Sequence, residues 1–553
     1  MTARHYARLM GIVASLAGTG TAGASDEDAD YEHRTEIFYL SGRRLIPEFA
    51  RWDPQQREVV LPGDRNGDLR TPHYQSHEQV AYELSVGTIY LTTEFVHAMY
   101  DQGDGAALAD LWDLIRSEPN GAGGFIWAFV DEGVFRTDAE RIDTMGNSAP
   151  DGVFGPYRQK EGSYYTIRQV WSPVQVEMEQ LPADFDGTIP LSDHYAFTDL
   201  DQVSFNWRLA RFDFAAAERE VLEAGTASAA SIPPGSSGDL QLELPADWST
   251  ADALQLDAVD ARGRLIASWP WMICPASESS AAIVDTASPQ AAELAQSEDG
   301  EELLATAASR ELAFSTTTGQ LMSVTLDDQA YSLVNGPALL AGEAQLVTLD
   351  SSLDGGDVVI TATYSGNLDQ VEWRVFASGW TELTYRYALE GDYDYFGVGF
   401  EYPEENVLGA EWLGRGPHRV WKNRMQGPWH DVWQRDHNDG ITGQSWEYPE
   451  FKGYYADVRW LRLLTTEGPI HLVMATDELF LGLFVPRDGI APRDSPIVYP
   501  DQDLSLLHGI SPMGTFTLAA AELGPQGQPH SLSGSFEATV FVYFGELPGP
   551  APE

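Results

Sequence analysis

Glu94 closes a short apolar run. Thr88-Ile89-Tyr90-Leu91 is β-branched and aromatic and reads as a strand, and Thr92-Thr93-Glu94 delivers a carboxylate at its C-terminal end. His97 follows three residues later, and a second run from Gly123 to Asp131 ends in an aromatic residue and another acid. A carboxylate fixed at a strand end can serve as a nucleophile, or share acid and base work with a second carboxylate. An exposed acid after a strand is also the commonest fate of a glutamate, so Glu94 by itself assigns no reaction.

The elements that must position these residues change in character along the chain. Residues 35–173 alternate helical stretches (45–52, 76–84, 105–115) with short apolar strands (58–61, 88–91, 125–130), the pattern of βα units in a parallel sheet or barrel. At most four strands are legible there, half of an eight-stranded barrel. Residues 174–275 carry short strands punctuated by Pro233-Pro234-Gly235 and Arg262-Gly263, which suits an immunoglobulin-like β-sandwich. Residues 276–309 are rich in Ala, Ser and Glu without period-2 alternation and read as a linker, part of it able to form a helix. Residues 310–548 are again strand after strand, which predicts a large two-sheet sandwich.

Composition narrows the partners. The chain of 553 residues holds 84 Asp and Glu against 33 Lys and Arg, a formal charge of −51, with lysine only at Lys160, Lys422 and Lys452. Such a surface repels polyanions and argues against nucleic acid. Scattered acids on a chain that is 43% hydrophobic point to a folded protein of a salty habitat, where counterions screen self-repulsion; an acidic protein of ordinary habitat is the alternative. Cys274 is the single cysteine, so neither a disulfide nor a cysteine metal site is expected, and no run is long enough to span a membrane. Residues 1–24 have the outline of a signal peptide, with Arg4, His5 and Arg8 ahead of an apolar stretch and Ala22-Gly23-Ala24. Read-through of unrelated sequence accounts for them equally, so cytoplasmic and exported locations both stay open.

Several runs together resemble glycoside hydrolase family 2, the β-galactosidase family. They are Thr71-Pro72-His73-Tyr74, the stretch from Tyr90 to Met99, Gly123-Gly124-Phe125-Ile126-Trp127 and Asp151-Gly152-Val153-Phe154-Gly155-Pro156-Tyr157-Arg158. Two later runs, Trp412 to Arg424 and Tyr448 to Tyr454, resemble that family's terminal domain, a galactose-mutarotase-like supersandwich. The resemblance implies a retaining hydrolase of terminal β-galactosides, with Glu94 as nucleophile, a Tyr74 phenol meeting it, His97 on substrate hydroxyls and Trp127 walling the sugar subsite. Each has a plainer alternative: Trp127 as barrel core, His97 as a structural histidine, Tyr74 as an aromatic that ends a strand. The Trp-rich stretch from Trp429 to Trp446 fits a sugar-stacking face or packing between domains.

Retention requires two carboxylates about 5–5.5 Å apart. The family's acid/base is a glutamate after an asparagine, roughly one helix upstream of an Asp-Pro that corresponds to Asp53-Pro54. Glu36 stands at that separation, but Thr35 precedes it; Glu32 is a further candidate, and both fit solvated acids equally. Asp151 resembles a position near a monovalent-ion site, with Ser148 and Ala149 in place of the family's aromatic, and Mg²⁺ is implied by analogy alone. In the family the nucleophile lies hundreds of residues from the N-terminus. Its place at position 94 leads to the expectation that the N-terminal domains and the first half of the barrel are missing. Three readings result: an active hydrolase, a non-catalytic chain completed by a partner or by its own oligomer, and a gene remnant.

Overall fold

The computed structural model describes residues 46–56, 59, 65–66, 69–96, 106–143, 151–438, 451–485, 498–515 and 518–547. Glu32, Glu36, His97, Ser148, Ala149 and Trp446 lie outside them. The described part is mostly β, and none of its helices is long and apolar enough to cross a membrane.

After a helix at residues 46–52 (α1), the chain builds a four-stranded sheet in the order β1 (Arg65–Asn66), β2 (Leu69–Arg70), β3 (Ile89–Phe95), β4 (Gly121–Ile126). Helices α2 (His77–Ser85) and α3 (Leu108–Ser117) make the crossovers on either side of β3, so β2, β3 and β4 run parallel. The start of α2 is written in the sequence. Ser76 accepts from the Gln79 N–H at 3.3 Å while the Gln79 side chain accepts from the Ser76 N–H at 2.9 Å, a reciprocal capping box. The helices bury Val80, Leu84, Leu108, Leu111 and Ile115 against Tyr90 and Phe95 of β3.

The expected half barrel is not supported. Among the described residues the sheet has four strands, two of them only two residues long, and β1 pairs antiparallel to β2. Only two residues separate β1 from β2, too few for a helical crossover. β4 also begins at Gly121, ahead of the expected run, because Gly121 continues the ladder opposite Tyr90.

Helix α4 (Gly162–Val170) leads into a two-sheet sandwich. One sheet holds β7 (Val174–Val176), β8 (Thr188–Asp193) and β11 (Ser237–Gln241), and a small hairpin of β5 (Val134–Arg136) and β6 (Arg141–Asp143) precedes both. The other sheet holds β9 (Ser204–Asp213), β10 (Glu218–Ser228), β12 (Ala253–Val259) and β13 (Leu265–Met272). Alternation fills the space between them: Phe205, Trp207 and Leu209 of β9 and, beside them, Leu254, Leu256 and Ala258 of β12 share a core with Val174, Ile189, Leu191 and Leu240 of the other sheet.

Within residues 276–309 the allowed helix forms, but strands of the following sheet also begin there. Ala276–Ile283 is helix α5, and Glu293–Gln296 and Glu302–Ala307 are the first strands of an eighteen-stranded sheet that continues to His530–Phe544. Small side chains such as Ala305 and Ala307 are buried there, so the strand carries no alternation of large apolar and charged residues for the sequence to display. Leu383, Tyr385, Tyr387 and Leu389 alternate inward along Thr381–Tyr393, which pairs along its whole length with the last strand.

The run around Lys452 locks this sheet. Lys452 is 5% exposed and its ammonium lies 2.6 Å from the Glu404 carboxylate, which His437 also contacts at 3.0 Å. Burial by itself would raise the Glu404 carboxyl, but the hydrogen bond and charge of Lys452, with the hydrogen bonds of His437 and Asn438, outweigh it and hold it below the ordinary carboxylate value. Stability from this group is therefore present above its unfolded-state pKa and is lost as pH falls through the folded one. Lys452→Met is expected to cost about 1–3 kcal/mol near neutral pH by calorimetry, the worth of a charged hydrogen bond. The gap to wild type should narrow as Glu404 protonates; a cost independent of pH would contradict the assignment.

Candidate active site

Phe95 is buried against the helices, and successive strand residues point to opposite faces, so Glu94 projects away from them. The register is fixed by backbone bonds to the preceding βα unit. The Thr93 N–H donates to Pro72 O at 3.1 Å and the Tyr74 N–H to Glu94 O at 3.0 Å, and the Thr92 hydroxyl bridges Pro72 O and Glu94 O. This places His73 and Tyr74 directly beside Glu94. The Tyr74 hydroxyl donates to Glu94 Oε2 at 2.9 Å, and His73 Nδ1 lies 3.5 Å from the same oxygen. Both contacts fall on Oε2, and the side chain keeps 25% of its surface exposed. One oxygen is therefore held while the carboxylate stays reachable from solvent.

Trp127 stands just past β4, where the Trp127 N–H approaches Phe95 O at 3.5 Å. Its indole N–H donates to Asp151 Oδ2 at 3.0 Å. Asp151 is buried, and its backbone carbonyl accepts from the Ala128 N–H at 2.9 Å. The next residue must be glycine: a Cβ on Gly152 would lie 2.2 Å from the Asp131 nitrogen and 2.4 Å from Val130 C. The Gly152 N–H in turn donates to Asp131 Oδ1 at 2.9 Å. The Asp151-Gly152 pair thus aims the indole at the sheet end.

Of the residues singled out from sequence, Glu94 and Tyr74 come together, and Trp127 stands one strand over. His97 and Glu36 fall outside the described residues. Asp151 Oδ2 accepts the Trp127 N–H, and among the described residues no three or more His, Cys, Asp or Glu side chains group to hold a metal. No step through Mg²⁺ or a monovalent cation is derived. Trp429 packs between Tyr165 and Trp433, ring centroids 5.4 and 5.0 Å away, which favours the packing role over a sugar platform. Sequence reasoning missed His73 and the Trp127–Asp151 pairing. The signal for His73 was the strand register, since a residue ending one parallel strand meets the residue ending the next.

No family model matches the chain. A β-galactosidase from Actinobacillus pleuropneumoniae is 25% identical over 176 residues, 30% of this chain and 16% of that protein, so the match spans only a minor part of the relative's length. Among solved structures, a galactose 1-epimerase from Lactobacillus acidophilus overlaps 46% of this chain and 100% of its own, at 10% identity and a TM-score of 0.25. An exo-chitosanase from Amycolatopsis orientalis overlaps 74% of this chain and 33% of its own, at 11% identity and a TM-score of 0.16. Overlaps with scores this low do not establish a shared fold.

Gly152→Ala should destabilise the α/β unit by about 1–3 kcal/mol, because backbone atoms cannot yield as a side chain would. Gly534→Ala, where nothing lies within 4 Å of the new methyl, should leave the unfolding transition in place. Equal effects of the two changes would contradict the close approach at Asp151-Gly152.

Proposed function

We propose that this chain is a retaining glycoside hydrolase of the β-galactosidase-like kind, acting on terminal β-galactosides. The observation that carries the reading is the Glu94 carboxylate at the end of a parallel strand, one oxygen held 2.9 Å from the Tyr74 phenol. The family-2-like motifs and the 25% identical stretch of a β-galactosidase support it. In this reading the seven-stranded sandwich is immunoglobulin-like and the eighteen-stranded sheet is a mutarotase-like supersandwich, within the domain limits 35–173, 174–275 and 310–548.

Glu94 attacks the anomeric carbon, forming a glycosyl ester as the bond to the leaving oxygen breaks. A second carboxylate, for which Glu36 is the candidate, gives its proton to that oxygen. It then takes one from the water that displaces Glu94 and restores the free carboxylate. Tyr74 holds Oε2 so that the other oxygen is the attacking one, and the fixed donor needs no reorganisation as charge shifts. Trp127, aimed by Asp151, offers a ring face to the sugar, and His97 takes up substrate hydroxyls.

A second reading is favoured by one observation. Phe125 on β4 and Phe129 three residues beyond it are 61% and 67% exposed, and the outer edge of β4 itself, up to the point where residues 128–131 line up with 151–154, pairs with no strand among the described residues. An apolar patch beside an open sheet edge is a docking surface. In this reading the chain works only when a complementing chain, or a second copy, covers that edge.

The chain in molar KCl should cleave an aryl β-galactoside. Glu94→Gln should lower kcat about a thousandfold or more, and Tyr74→Phe about tenfold to a hundredfold. Azide should restore turnover to Glu94→Ala by yielding the α-galactosyl azide. An inactive wild-type chain, or rescue that gives the β-azide, would overturn the first reading. Activity that appears only on adding a second chain, and is lost in Phe125→Asp, would establish the second.

A further inference from the structure

The α/β unit and the seven-stranded sandwich meet at a cleft of about 450 Å³, within the range of small-ligand sites. Arg116 from the last turn of α3, Glu177 just after β7, and Ser192, Asp193, His194 and Tyr195 at the end of β8 line it. It is remote from Glu94. Helix α3 ends where β4 begins, at the N-terminal end of the parallel strands, whereas Glu94 stands at their C-terminal end; seven residues of strand separate the two ends by roughly 20 Å.

The polar groups of this cleft are pre-set. Asp193 is 0% exposed, and its backbone is fixed by Asp193 N–H to Ser236 O and Gly235 N–H to Asp193 O, both 2.9 Å. Its Oδ1 accepts from the Tyr195 N–H at 2.7 Å, while Oδ2 is buried with no donor among the described residues. Burial raises the Asp193 carboxyl, the mark of an acceptor short of partners. Arg116 Nη2 lies 3.0 Å from His194 Nε2, and a guanidinium only donates, so the imidazole accepts there and keeps its proton on Nδ1. The Ser192 hydroxyl donates to Glu177 Oε1 and lies 2.8 Å from the Ser237 hydroxyl.

We infer that this cleft is a second binding site, for a neutral polyhydroxylated ligand, a segment of glycan. Each hydroxyl of such a ligand both donates and accepts, which matches a cleft offering carboxylate acceptors beside a guanidinium donor. A bare cation is disfavoured by Arg116 in the lining and by the absence of a metal-binding group of side chains among the described residues. An anion is disfavoured by Glu177 and Asp193. Tyr195 lines the cleft with its ring half-packed on the sandwich core, and Phe197, two residues on, is 96% exposed. A single exposed Phe signifies nothing by itself; two residues of chain span about 7 Å at most, so a glycan that overhangs the cleft comes within reach of this ring.

Isothermal titration of the full chain carrying Glu94→Gln, which prevents turnover, with soluble β-galactan, β-mannan and xylan tests the site whether or not the chain is a hydrolase. At least one glycan should bind, and Phe197→Ala and Glu177→Gln should each raise its Kd about tenfold. In the chain with Glu94 intact, Phe197→Ala should leave cleavage of a small aryl galactoside unchanged. No binding to any of the three glycans would overturn the proposal. So would binding that both changes leave intact, or a calcium titration whose heat Glu177→Gln abolishes while glycans give none.

Discussion

Gly427, between two strands of the eighteen-stranded sheet, meets α4 so closely that a Cβ on it would lie 2.6 Å from the Thr166 nitrogen. Polar contacts surround this approach: the Thr166 hydroxyl donates to Gln426 O at 2.9 Å, the Ala107 N–H to Asn423 O at 3.0 Å, and the Gln526 N–H to Asp110 Oδ2 at 2.7 Å. Tyr165 fits between His418 and Trp429. Among the described residues the α/β unit gathers eight buried side chains around β3, and this anchorage adds to them.

The anchorage reaches the site in two steps. It holds α3 and α4 against the large sheet, and α3 holds Phe95 and Tyr90 of β3 through Leu108, Leu111 and Ile115. With β3 fixed, the ladder to Pro72 and Tyr74 sets the phenol on Glu94, and the Asp151-Gly152 turn sets the indole. A reacting group carried on a strand end, with its partners tied by backbone bonds, keeps its geometry better than one on a loop. The same rigidity places the seam cleft at the other end of the sheet, where α3 delivers Arg116 to the sandwich.

Glu94 was legible because it ends an apolar run, Thr88 to Leu91, whereas no such run precedes Tyr74, which was singled out only by the resemblance of Thr71-Pro72-His73-Tyr74 to a family motif. The Trp127–Asp151 bond was not, since nothing in local spacing says that residues 24 apart share a proton. Residues 276–309 were misread for a physical reason: alanines that fill a tight sheet interface look like linker composition, and burial is decided by neighbours far along the chain. The half barrel was over-read from βα alternation. That alternation correctly implied parallel strands around β3, but it carries no information about closure, and β1 turns back on β2. The Trp-rich stretch shows the same limit, because whether Trp429 faces a sugar or Tyr165 depends on an interface invisible to periodicity.

The account's central claim is that the Glu94 carboxylate forms a covalent bond to the sugar. Mass spectrometry of peptides from the chain treated with a slow-turnover fluorinated galactosyl fluoride tests it most directly. The account predicts a galactosyl adduct on the peptide containing Glu94, abolished by Glu94→Gln and formed more slowly in Tyr74→Phe. An adduct on a different carboxylate, or full turnover of a β-galactoside with no adduct trapped, would contradict it.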